Sequence, residues 1–139
     1  MKNTFGSALC LTIFGESHGA GVGAVLDGMA AGVPVDPAAL AALMDKRRAR
    51  GDGLSTARVE ADEVRILSGV VNGRTTGTPL TLLIENHNTR SGDYAATAAL
   101  LRPGHADYTA YARYRGWQDA RGGGHFSGRI TAGLVAGGG

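Results

Sequence analysis

Three glycine-flanked motifs carry the side chains in this sequence best suited to moving protons beside an anion. The first is Phe14-Gly15-Glu16-Ser17-His18-Gly19, and the second is Arg102-Pro103-Gly104-His105-Ala106-Asp107-Tyr108. The third runs Asp119-Ala120-Arg121-Gly122-Gly123-Gly124-His125-Phe126-Ser127-Gly128-Arg129. Imidazole titrates near ~6.5, so at neutral pH it can deliver a proton where negative charge develops. Glycine turns let backbone approach a ligand closely and leave side chains pointing at it. A lone loop histidine is ordinarily a surface residue or a satisfied hydrogen-bond partner, and what argues for a site is that the same pattern occurs three times.

The cations fit the same chemistry. Of 14 basic residues, 12 are Arg and 2 are Lys, and guanidinium grips carboxylates and phosphates in a bidentate fork. A general Arg bias would produce the same count, and the run Asp45-Lys46-Arg47-Arg48-Ala49-Arg50 is also what a helix dipole favours in a last turn. The functional reading has that run, with the loop Gly51-Asp52-Gly53-Leu54-Ser55-Thr56, reaching towards an anionic ligand. A net charge of +2 with 6% aromatics does not make a nucleic-acid footprint.

Two nucleotide-binding patterns are only partly matched. Gly19-Ala20-Gly21-Val22-Gly23-Ala24 fits the dinucleotide fingerprint loosely, but β-branched Val22 and Val25 suit a strand where that motif needs a helix. Gly123 to Ile130 approaches the phosphate loop, with Arg129 for its Lys and Ile130 for its magnesium-binding hydroxyl. What survives is the shared physics, a glycine loop that feeds a helix start and offers N–H groups to an anion. No histidine is paired with another ligand at helical metal-site spacing, so no metal is expected.

The elements that must hold these motifs can be read in outline. Ala8 to Phe14 and Val22 to Leu26 are short apolar runs expected as strands, the second ended by Asp27-Gly28. Asp36 and Pro37 mark a helix start, with Leu40, Leu43 and Met44 on one face. Val64 to Val71 and Leu80 to Glu85 read as strands joined most simply as a hairpin across Asn72-Gly73 and Gly77-Thr78-Pro79. Tyr94 to Leu101 suggests a short helix, and Asp107 a cap for another that would pack through Tyr108, Tyr111 and Tyr114, with Trp117. A last helix, with Ile130, Leu134 and Val135, begins under the third motif after Ser127.

With 139 residues, 43% of them hydrophobic, the chain suits one modest domain with a real core. Its 23 glycines follow no Gly-X-Y period, which excludes a collagen-like chain. Cys10 is alone, so neither a disulfide nor a thiolate metal site follows. No apolar stretch approaches the ~20 residues of a membrane span, and the run before Glu16 is too short for a signal-peptide core. A soluble cytoplasmic protein without membrane or nucleic-acid partners is the expectation.

Gly15-Glu16-Ser17-His18-Gly19, Arg102-Pro103-Gly104-His105-Ala106-Asp107 and Gly122-Gly123-Gly124, in this order and at these intervals, resemble the chorismate synthase family. Ile66-Leu67-Ser68-Gly69-Val70, Thr76-Gly77-Thr78 and Ile84-Glu85-Asn86 belong to the same resemblance, which runs the length of the chain. It implies an α/β fold of the α+β type, a β-α-β sandwich with antiparallel sheets and peripheral helices. It implies a lyase that removes phosphate and a ring proton from 5-enolpyruvylshikimate 3-phosphate, a phosphorylated dicarboxylate, in an anti 1,4-elimination. Reduced FMN is required by the family, with NADPH as reductant in bifunctional members, and members are typically homotetramers.

By the same resemblance His18 would protonate the departing phosphate, His105 would protonate or hydrogen-bond the reduced flavin, and Ser17 would support proton relay. Gly124, His125, Phe126 and Ser127 fall at cofactor-binding positions, as does Arg47, and Arg48, Arg102 and Arg129 are expected to clamp the substrate. Many members carry Arg-Ser-Ser after the glycine triplet where this chain has His125-Phe126-Ser127, and a second Arg where it has Gly53. Members are also considerably longer, so residues 1–139 are expected to be the N-terminal portion of such a domain, binding flavin weakly and turning over poorly alone. The competing class is a non-catalytic anion- or nucleotide-binding module built on the same glycine turns.

Overall fold

The computed structural model describes residues 2–48, 61–87 and 100–139. The chain opens with three antiparallel strands, β1 (Thr4–Gly6), β2 (Cys10–Gly15) and β3 (Gly21–Asp27), followed by helix α1 (Pro37–Arg47). Strands β4 (Val64–Ser68), β5 (Val70–Val71), β6 (Arg74–Thr75) and β7 (Leu80–Glu85) come next, then helices α2 (Asp107–Tyr114) and α3 (Thr131–Gly138). Five strands form one antiparallel sheet in the order β1-β2-β3-β7-β4, and β5 and β6 form a separate two-stranded ribbon. The fold is thus mixed α/β with antiparallel sheets.

Alternation along the strands decides which face is buried. Val22, Leu26, Leu80, Leu82 and Ile84 point to one side of the sheet and join Met44 of α1, Ile130, and Ala132 and Ala136 of α3 in the core. Register places Val22 opposite Ile84 and Leu26 opposite Leu80, so large side chains meet across the β3–β7 pair, where cross-strand contacts stabilise a sheet. Small residues let α3 lie close to the sheet: a Cβ on Gly133 would stand 2.4 Å from the Gly23 carbonyl. Pro37 opens α1, and the Asp36 carboxylate accepts from the backbone N–H of Ala38 at 2.9 Å and Ala39 at 3.1 Å.

Several expectations need correction. The strand expected from Ala8 begins at Cys10, and β1, too short to show a period, pairs with it. The run Val64 to Val71 is two strands, because Gly69 takes a φ of +84° and the β4 register shifts between Ile66 and Ser68. β4 and β7 do pair antiparallel, but β5 and β6 form their own small hairpin at Asn72-Gly73 between them. Asp107 is the first residue of α2, whose cap is Ala106 with no side-chain bond, since the Asp107 carboxylate is taken by Arg102. The tyrosine stripe packs only at its end: Tyr108 is 67% exposed and Trp117 91%, whereas Tyr114 is half-buried with its ring centroid 6.2 Å from that of Phe126. The helix suggested at Tyr94 to Leu101 and the loop Gly51 to Thr56 lie outside the described residues, save Leu100 and Leu101, which are not helical.

Candidate active site

The third motif is a turn that only glycine can make. Gly122, Gly123 and Gly124 have φ of +57°, +89° and +55°, the left-handed region in which a Cβ costs ~1–2 kcal/mol. Space forbids a side chain as well. A Cβ on Gly122 would stand 2.2 Å from His18 Cε1, and one on Gly123 would stand 2.4 Å from His105 Cε1. Two imidazoles more than eighty positions apart in the chain therefore rest on neighbouring residues of one turn. With consecutive Cα atoms ~3.8 Å apart, the rings lie within roughly 12 Å of each other.

Each ring is held differently. Ser17, 3% exposed, donates its backbone N–H to the Gly124 carbonyl at 3.0 Å, which ties the first motif to the third. Its Oγ is 3.2 Å from His18 Nδ1. His105 Nδ1 is 2.9 Å from Asp107 Oδ1, so Nε2, 2.8 Å from the Gly123 Cβ position, is the nitrogen turned to the glycine turn. Arg102 donates to the same carboxylate through Nε at 2.7 Å and Nη2 at 2.8 Å. These bonds, ahead of any opposing effect of burial, hold the Asp107 carboxyl well below the usual carboxylate range. Asp119 is lowered too, first by the hydrogen bonds from Arg121 and further by the nearby His18.

His125 stands where the ring can be assigned. Its Nδ1 lies 2.8 Å from the Gly15 carbonyl, and a carbonyl only accepts, so Nδ1 carries the hydrogen and Nε2 is the acceptor of the neutral ring. His125 and Phe126, with Phe14, Tyr114 and Trp117, line a cleft of about 520 Å³ beside the turn. That is within the usual ~300–1,000 Å³ of a small-molecule pocket. His18 and His105 do not line it. Ser127 caps the following turn, its Oγ accepting from the Arg129 N–H at 3.3 Å.

Of the expected clamps, Arg129 is placed otherwise. It is 8% exposed and donates Nε to Asn86 Oδ1 at 2.9 Å, Nη2 to the Glu85 carbonyl at 3.4 Å, and Nη1 to Asp62. Each nitrogen of this buried guanidinium is thus bonded to a protein acceptor. Arg47 bonds the other oxygen of Asp62, and burial, more than the repulsion of Arg129, lowers its pKa against the pull of Asp62. Arg48 pairs with Asp45 and donates to the Ala61 carbonyl. Asp62, which bridges two guanidiniums, gives no signal in the sequence because it sits in the unremarkable charged stretch Glu60 to Glu63. Among the described residues no group of three His, Cys, Asp or Glu side chains is placed to hold a metal ion.

The sequence profile of the chorismate synthase family matches residues 9–139. The chain belongs to that family. It is 52% identical over 136 residues to the chorismate synthase of Desulfovibrio desulfuricans, covering 98% of this chain and 37% of that one. Identity to the Campylobacter fetus chorismate synthase is 53% over 136 residues, covering 98% and 38%. A crystal structure of a chorismate synthase superposes with a TM-score of 0.63 at 30% identity, over 94% of this chain and 31% of that one. The chain thus spans about a third of the length of these chorismate synthases.

Proposed function

We propose that this chain supplies the histidine-bearing part of a chorismate synthase, the lyase that converts 5-enolpyruvylshikimate 3-phosphate to chorismate by anti 1,4-elimination. The observation that supports it is the contact of His18 and His105 with adjacent glycines of one turn. His18 acts as the general acid that protonates the departing phosphate, which bears its charge beside the ring as the C–O bond breaks. The Ser17 hydroxyl, 3.2 Å from His18 Nδ1, relays or steadies that proton. His105 presents Nε2 while Asp107 holds Nδ1. Arg102 adds positive charge beside it for a substrate with three acidic groups.

The residues present fit a flavin. Aromatic walls from Phe14, Tyr114, Trp117 and Phe126 and an acceptor nitrogen on His125 border the glycine turn. Gly124, His125, Phe126 and Ser127 would hold reduced FMN, with Arg47 at the phosphate end of it or of NADPH. When bound, the flavin would lend an electron that returns to it and would accept the ring proton, so the elimination would carry no net redox change. The complete protein is read as a cytoplasmic homotetramer. No helix among the described residues is long and apolar enough to cross a membrane.

The test is an anaerobic assay of the complete polypeptide with 5-enolpyruvylshikimate 3-phosphate. Chorismate and phosphate are expected in equal amounts with reduced FMN and not with oxidised FMN. A folded protein that binds reduced flavin and releases no phosphate overturns the reading.

A further inference from the structure

The turn that carries Ser17 and His18 is short and glycine-flanked, so something outside it must fix its shape. The structure shows one side chain doing so from a distant strand end. Asn86, just past β7, donates Nδ2 to the Glu16 carbonyl at 3.0 Å and to the Gly19 carbonyl at 3.0 Å. Its backbone N–H donates to the Ala20 carbonyl at 3.0 Å. The two side-chain bonds reach the residues on either side of Ser17-His18 and close the turn like a clasp. The amide orientation is not ambiguous. Two carbonyls require donors, and Arg129 Nε, a donor only, requires the oxygen it meets at 2.9 Å.

Behind Asn86 the order continues inward. Arg129 is held by Asp62 and the Glu85 carbonyl, and Asp62 by Arg47. Asp62 is 5% exposed and adopts a φ of +51°, a conformation that a non-glycine residue keeps only when its surroundings over-determine it. A buried carboxylate between two guanidiniums is a rigid support, because removing it would leave two neighbouring cations without their shared counter-charge.

We propose that Asn86 is the positioning residue of His18, with Arg129 and Asp62 as the support that holds Asn86 in place. The proposal rests on the reading of His18 as proton donor for its kinetic consequence. Its geometric content does not. Asn86 touches no reacting atom; it sets where the imidazole stands over Gly122.

The experiment compares Asn86→Ala and Asn86→Asp in the complete polypeptide. The second variant keeps an oxygen for Arg129 while setting lone pairs against two carbonyls. Histidine-ring ¹H–¹⁵N spectra are expected to show His18 shifted or broadened with His105 unchanged. With reduced FMN, kcat is expected to fall by roughly 10²-fold, as for a small misplacement, with KM within about threefold. Folded variants that retain the parent's His18 signals and kcat overturn the proposal, as does equal disturbance of both rings. If neither variant folds, hydrogen exchange of the Asn86 side-chain NH₂ in the unmodified protein decides. Exchange slower than that of a solvated asparagine is expected, and exchange at the solvated rate overturns it. His18 signals that respond in a protein without elimination activity would sink the assigned reaction and leave the clasp standing.

Discussion

At the residue scale the two histidines can be perturbed one at a time through the glycines beneath them. Gly122→Ala puts a methyl group 2.2 Å from His18 Cε1 at a φ of +57°, and Gly123→Ala does the same to His105 at +89°. Each is expected to cost ~1–2 kcal/mol of stability from backbone strain alone and to cut kcat by roughly 10²-fold. Ring spectra should show a different histidine displaced in each variant. Acid provides a second test, through Asp107. Its carboxyl is held below the ordinary range by Arg102, so its contribution to stability is present above the unfolded pKa of ~3.9. That contribution is lost only as pH falls further, through the depressed folded value. The Asp107 ¹³C carboxyl signal is expected not to titrate as pH passes ~3.9, whereas in Arg102→Ala it should titrate there. The histidines, Ser17 and the triplet were legible because each sits in a motif of unusual composition. Asn86 stood among the resembling residues without a role, and Asp62 was missed, because their partners lie as many as 70 positions away.

Among the elements, β7 decides most. It lies between β3 and β4, buries Leu80, Leu82 and Ile84, and ends at Glu85, next to Asn86. Ile84→Ala should lower stability by about 2–5 kcal/mol, the usual cost of a cavity at a buried aliphatic site, as read by denaturant midpoint. Gly133→Ala should cost ~1–3 kcal/mol by forcing α3 off the Gly23 carbonyl, a loss that a Gly138→Ala control, with open space around it, should not show. Helix α1 could be read directly because Asp36-Pro37 is a local signal whose physics stays within one turn. β1 could not, since three residues carry no period. The tyrosine spacing of α2 held only for Tyr114, beside Phe126: a stripe at spacing three indicates a helix face and says nothing of how much of it another element covers.

For the molecule as a whole, the point is how far the chain must fold before any chemistry exists. The first histidine follows β2, the second precedes α2, and the turn that joins them precedes α3. The chain spans little more than a third of the chorismate synthases it matches, and the isolated 139 residues are expected to bind reduced FMN weakly and turn over poorly. Full activity of that polypeptide in an anaerobic assay would refute this.

The most direct measurement is a comparison of His18→Ala, His105→Ala and the double variant in the complete protein under anaerobic conditions with reduced FMN. Each single change is expected to lower kcat by roughly 10²–10⁴-fold, the usual contribution of a positioned acid, and to alter substrate affinity far less. On the proposed reading both rings serve one site, so the double variant should lose less than the product of the two single losses. Parent-like rates in either single variant, or losses that fall on affinity alone, would contradict it.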